Sequence, residues 1–171
     1  MNTKKLTNMA LLLALALVIS VVELQIPMPV PIPGAKLGLS NIIILVSLYF
    51  YGFKASLTIS LLKSFMLVLI TGAVSAFFYS AAGAILSTIA MVIALRFHDK
   101  LFSFIGVSEI GAFAHNIGQI IVSVIVMENI KMFYYLPLLV FVGTFTGFFV
   151  GLSSNFIIKH MKKLYVGEKL K

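Results

Sequence analysis

The chain has 171 residues, 61% of them apolar and 11% charged, with a mean hydropathy of +1.12. A soluble domain carries about 25% charged residues, so this composition excludes a water-covered globule and, equally, a disordered chain. The 13 Lys and Arg against 5 Asp and Glu give a formal net charge of +8. The sequence has no cysteine, which excludes disulfides, thiolate chemistry and Cys-ligated zinc or iron–sulfur centres.

An apolar run of about 20 residues crosses a bilayer. The pattern predicts six such spans in one transmembrane domain, an all-α integral membrane protein. The first covers about 6–26, after Lys4 and Lys5. A secretory signal starts the same way, but this run is longer than a signal core and no small-x-small cleavage site follows. It reads as a retained helix. It stops at Pro27-Met-Pro-Val-Pro-Ile-Pro33, where alternating prolines cannot continue a helix and form an extended external loop. The second span, about 37–51, is short for a bilayer. Gly52-Phe53-Lys54 turns the chain into a third span over about 55–70, closed by Thr71-Gly72. A fourth over about 76–95 leads to the charged loop Arg96-Phe-His-Asp-Lys100, with an interfacial stretch at Leu101 and Phe102. The fifth runs over about 107–127 and the sixth over about 134–158, before a basic tail.

Six spans put both termini on one side. That side collects Lys4, Lys5, Lys54, Arg96, Lys100, Lys159, Lys162, Lys163, Lys169 and Lys171; the other has Lys36 and Lys131. The positive-inside rule then places both termini in the cytoplasm of a multi-pass cell-membrane protein. The basic balance is explained by topology and by contact with membrane lipids, so nucleic acid is not needed as a partner.

Lys63 falls about nine residues into the third span. A lysine at such depth costs about 2.5–3.5 kcal/mol on insertion scales, and an intramembrane charge is a functional hypothesis by default. Ser56, Ser60 and Ser64 share its helix face at i+4 spacing. Lys63 is either a cationic anchor for an anionic ligand or the partner of an internal Glu. In the fifth span His115 and Gln119 share a face, with Asn116 on its flank and Ser108, Ala112 and Ser123 extending the stripe. These side chains need partners inside a membrane, either a ligand or a neighbouring helix. His115 has no companion at ligand spacing, so no metal or cofactor site is expected. Glu23, near the external end of the first span, pairs with Lys63 or Lys36 or faces water. Glu109 is expected at an interface, and His98 and His160 in solvent. Gly143, Gly147 and Gly151 read as packing within the chain. For Ala10 and Ala14, a small-xxx-small pair, internal packing and a docking face for another membrane subunit both stand.

The run Pro33-Gly-Ala-Lys-Leu-Gly-Leu-Ser-Asn41, the Leu62-Lys63-Ser64 and Tyr79-Ser80-Ala-Ala-Gly83 steps, and Gly111-Ala-Phe-Ala-His115-Asn116-Ile-Gly-Gln119 resemble the Gx transporter family. That family is also described as heptaprenyl diphosphate synthase component I, and the resemblance covers roughly 6–160. More distantly it resembles the S components of energy-coupling factor transporters. These are six-helix proteins that bind scarce nutrients from outside and work with a transmembrane coupling subunit and two ATPases. In S components an Ala-xxx-Ala motif on the first helix meets the coupling subunit, and Ala10 and Ala14 match it. The family motifs add Asn41 and Ser80 to Lys63, His115, Asn116 and Gln119 as substrate-binding candidates.

Two ligand-binding readings follow, beside a blander one in which the chain is a structural membrane partner without a ligand and its polar stripes pair only with each other. The first is the substrate-binding subunit of an energy-coupling factor type transporter for a small, partly anionic nutrient; no Walker A loop is present, so a partner supplies the ATPase. The second is a non-catalytic membrane accessory subunit of heptaprenyl diphosphate synthesis that binds a prenyl or quinone lipid. A prenyl-transferring subunit itself is not expected. Diphosphate ionisation uses magnesium held by clustered carboxylates, and the single aspartate, Asp99, has no acidic neighbour.

Overall fold

The structure, a computed structural model, describes residues 3–26, 36–98 and 101–169. The expected proline loop at 27–33, and Asp99 and Lys100 of the charged loop, lie outside the described residues. The chain folds into α1 (Thr3–Glu23), α2 (Asn41–Thr71), α3 (Val74–Leu95), α4 (Phe104–Met127), a short 3-10 helix (Ile130–Tyr135) and α5 (Leu136–Lys169). Five helical segments are long and apolar enough to cross a membrane. With the outward flank of each carrying large apolar side chains, among them Leu11, Leu69, Ile93, Ile125 and Phe141, this is an all-α membrane protein.

The count of five reflects α2, which takes in both the second and third expected spans. Its helical hydrogen-bonding is interrupted at Gly52 (φ 78°, ψ −179°), a backbone state essentially reserved for glycine. The break is a reversal. The Ser56 hydroxyl donates to the Ser47 hydroxyl at 3.1 Å, yet nine residues of straight helix rise about 13.5 Å. Residues 41–51 and 53–71 are therefore two arms of a hairpin. The first arm has about 16 Å of rise, roughly half the hydrocarbon thickness. It starts at depth inside the bundle and descends to the turn at Gly52.

Other boundaries shift for local reasons. α1 ends at Glu23 and not at Ile26, because Leu24, Gln25 and Ile26 close turns onto Val21, Val22 and Glu23. Gly72 ends α2 with φ 71°, its N–H bonded to the Val68 carbonyl, a left-handed helix cap. Ser103 caps α4 by accepting from the Gly106 N–H. α5 does not stop near residue 158 but continues through the basic tail to Lys169. Its 34 residues make about 51 Å, more than a bilayer core, and the tail is rich in helix formers with no proline.

Three apolar clusters order the bundle along its axis. Val46, Phe104 and Ile158 pack at the basic end. Leu12, Ala16, Ile42, Leu45, Ile59, Met91 and Val107 form the main core. Tyr79, Ile120 and Leu139 form a third cluster toward the opposite end. Close approach of α5 to α4 rests on small residues: a methyl group on Gly151 would meet the Ile105 Cα at 2.5 Å, and one on Gly147 would meet the Ala112 Cβ at 3.1 Å. The glycine triplet thus packs within the chain, as expected. Ala10 and Ala14 do not: both are exposed, on the flank of α1 that carries Leu11, Leu15 and Val18. Of the two readings for this pair, internal packing falls away.

Candidate functional site

Between the main core and the Tyr79 cluster the bundle is polar. The segment 36–40 enters the bundle here, before the first arm of α2 begins. Gly38, with φ 83°, turns the chain where a side chain has no room: a methyl group there would stand 3.1 Å from the Asn41 amide and 3.6 Å from the His115 ring. The Glu23 carboxylate accepts the Gly38 N–H at 2.6 Å, so the last turn of α1 pins this segment. The Gln119 amide donates to the Lys36 carbonyl at 3.3 Å from the other side.

Lys63, Glu23 and His115 are each 4% exposed. The Lys63 ammonium donates to the Ser40 hydroxyl at 2.8 Å. Gln119 is also hydrogen-bonded to the His115 Nε2 at 3.0 Å. The Ser64 and Ser80 hydroxyls are 2.8 Å apart, joining the second arm of α2 to α3. Lys63 and Lys36 both lie within electrostatic reach of the Glu23 carboxylate. Burial pushes the Lys36 ammonium below the ordinary lysine range, and Glu23 opposes that shift. The buried charges are thus two ammonium groups around one carboxylate, a centre with an excess of positive charge. Glu23 does not face water, and it serves both cations as a counter-charge.

The His115 ring packs against α3 because position 83 is glycine; a methyl group there would stand 2.7 Å from the ring. One turn further, a methyl on Gly118 would meet the Ala82 backbone at 2.8 Å. Gly83 and Gly118 thus make a close crossing of α3 and α4. Several buried polar atoms around this crossing, the Tyr79 hydroxyl, the Gln119 Oε1 and the Ser123 hydroxyl, have no hydrogen-bond partner among the described residues. A buried polar atom left unpaired costs about 1–3 kcal/mol, so among the described residues these are the atoms that a polar guest would satisfy.

Lys63, His115, Gln119, Asn41 and Ser80 are all buried in this region. Asn116 turns the other way. Its amide donates to the Leu139 carbonyl of α5 at 2.7 Å, in the space left by the missing side chain of Gly143, against which a methyl group would clash. Asn116 joins two helices, as the interhelical reading of this residue requires. The candidates read from the sequence lack Ser40, Gly38 and Gly83, and name Lys36 only as a possible partner of Glu23. All but Gly83 sit in the run Lys36-Leu-Gly-Leu-Ser-Asn41, a polar interruption ahead of an apolar helix that was legible as unusual. His98 is not simply solvated either: its Nδ1 is bonded to the Phe102 carbonyl at 2.9 Å and its ring stacks 4.0 Å from that of Phe104. Among the described residues no three His, Asp or Glu side chains gather as a metal would require.

The arrangement defines a class: a helical membrane protein whose interior carries a buried polar layer with an excess of basic groups between apolar ones. The family within that class is given by comparison. The family model described as heptaprenyl diphosphate synthase component I matches residues 12–157, and the chain belongs to that family. Comparison with curated proteins and with solved structures gives no match.

Proposed function

We propose that the chain is a non-catalytic membrane component of prenyl diphosphate synthesis, which binds a prenyl or quinone lipid and works with a separate catalytic component. The family match over 12–157 carries this reading, since a component I implies a second component. The chain's own residues agree with it. Its five carboxylates, Glu23, Asp99, Glu109, Glu128 and Glu168, are scattered along the sequence, whereas magnesium-assisted diphosphate ionisation calls for clustered ones. The chemistry then belongs to the partner, and this chain supplies a membrane seat and a lipid site.

In this reading the hairpin at Gly52 makes six passages of the chain through the bundle, and both termini lie in the cytoplasm of a cell-membrane protein, where the basic residues gather. The catalytic partner meets that face. The buried layer around Lys63, Ser40, His115 and Gln119 takes the polar end of the lipid, a diphosphate or a quinone ring.

One observation favours a second reading, substrate capture for a transporter with a separate coupling subunit and ATPases. An excess of buried cation deep in the bundle suits a small anionic nutrient as well as a lipid head, and the exposed Ala10 and Ala14 leave α1 open for a coupling subunit. Purification from native membranes in mild detergent, with mass spectrometry of bound proteins and small molecules, separates the two. A soluble prenyl synthase and a prenyl or quinone lipid are expected. An ATPase with a vitamin-like molecule would overturn the proposal in favour of transport.

A further inference from the structure

A cavity lies at the basic end of the bundle, well away from the polar layer. It has a volume of about 570 Å³ and opens to the exterior between the start of α4 and the end of α5. That volume is in the range of small-molecule sites. Its polar wall is Lys159, Lys162, Asn155, Ser103 and His98, and no carboxylate is among the described lining residues. The Lys162 ammonium stands 4.6 Å from the centre of the Tyr49 ring, which holds it beside the cavity. The first N–H groups of α4, at Phe104 and Ile105, come before the first helical acceptor and point out of the helix end, and this end carries the positive pole of the helix dipole. Two ammonium groups, the polar side chains of Asn155, Ser103 and His98, and a helix start thus converge on one space.

The rest of the wall is apolar, with Phe102 and Ile158 among its members. Leu101 of the same wall is 73% exposed, and the neighbouring Phe97 is also exposed, so the cavity continues onto a flank suited to hydrocarbon. The whole lies where Lys54, Arg96, Lys159, Lys162 and Lys163 gather, the level of anionic headgroups in a positive-inside protein. A free phosphate would use the cationic half and leave the apolar half without purpose; a neutral hydrocarbon would do the reverse.

From this geometry we infer that the cavity is a binding site for a phosphate-headed amphiphile, with its phosphate between Lys159, Lys162 and the start of α4 and its chain along Phe102 and Ile158. The inference stands on the cavity and does not need the accessory-subunit reading. Two sources share the chemistry, a prenyl diphosphate and an anionic membrane phospholipid.

The test is native mass spectrometry of the full chain in detergent, titrated separately with farnesyl diphosphate, farnesol and dioleoylphosphatidylglycerol. At least one phosphate-headed probe is expected to bind about ten-fold more tightly than farnesol. K159Q/K162Q is expected to weaken that probe by about ten-fold or more, while K54Q, at the same end but outside the cavity, leaves it unchanged. Both lysines are exposed, so the variant folds, and an unchanged melting temperature verifies this. Tighter binding of farnesyl diphosphate assigns a prenyl diphosphate site; tighter binding of the phospholipid assigns a lipid headgroup site. Equal affinity of farnesol and both phosphate-headed probes, or unchanged affinity in the double variant, overturns the inference. None of these readouts involves a partner protein, so the outcome is independent of the co-purification described above.

Discussion

The Lys63 ammonium and the Ser40 hydroxyl, 2.8 Å apart, tie the middle of the second arm of α2 to the residue that precedes the first. Twenty-three residues of straight helix would separate them by about 35 Å. The bond therefore exists only because the chain reverses at Gly52, and it supplies a buried ammonium with an acceptor.

Ser40→Ala removes that acceptor. The expected loss is about 1.5–3 kcal/mol, the range for a hydrogen bond to a charged group, seen as a lower melting temperature in detergent. In a double-mutant cycle, Ser40→Ala in a Lys63→Met background is expected to cost much less, because no charge is left unpaired. Additive losses would show that the bond carries no coupling.

The hairpin itself can be trapped. The sequence has no cysteine, so Ser47→Cys/Ser56→Cys introduces the only two thiols, at positions whose hydroxyls are 3.1 Å apart. A mild oxidant is expected to join them within one chain, giving a faster-migrating band on non-reducing gels. Ser47→Cys/Thr58→Cys, with Thr58 on an exposed face, serves as the unreactive control. A continuous helix would leave both pairs unjoined.

Gly52→Ala tests the same reversal energetically. Nothing lies within 4 Å of a methyl group at this position, so any cost is backbone strain alone. Holding a non-glycine residue at φ 78°, ψ −179° costs about 1–3 kcal/mol. A melting temperature equal to that of the parent would show that the turn relaxes to an ordinary conformation.

At the crossing of α3 and α4, Gly118→Ala is expected to be worse than Gly83→Ala. The first methyl meets the Ala82 backbone, which cannot turn aside, whereas the second meets the His115 side chain. Overpacking of this kind costs about 1–3 kcal/mol. Unfolding of both variants in parallel, with the order reversed, would show that the helix crossing yields to a methyl group more readily than the His115 pocket.

The positive-inside rule gives an expected sidedness. Single cysteines at Lys54 and Lys163 are expected to react with a membrane-impermeant maleimide only after the membrane is opened, and one at Lys131 in intact cells. The opposite pattern would reverse the orientation given by the positive-inside rule.

The family comparison favours the second of the two functional readings, the component of prenyl diphosphate synthesis, over nutrient capture. The reason the sequence ranked them otherwise is physical. Buried Lys63 and the His115–Gln119 stripe report that something polar is accommodated inside the membrane, but an anionic nutrient and a lipid headgroup make the same demand.

Composition and hydropathy alone determined that this chain is helical and lives in a bilayer, because exposed backbone in hydrocarbon must bond to itself. They also marked Lys63, His115 and Gln119 as out of place, because a polar side chain in such a run carries a cost wherever the helix lies. Tertiary structure decided what each one touches. Lys63 meets Ser40 through a reversal at one glycine, and Gln119 meets a loop carbonyl 83 residues away in sequence. Asn116, on the flank of the same stripe, faces α5, and Ala10 and Ala14 face outward. Spacing along a helix gives the side of the cylinder, and only the packing of whole helices gives the neighbour on that side.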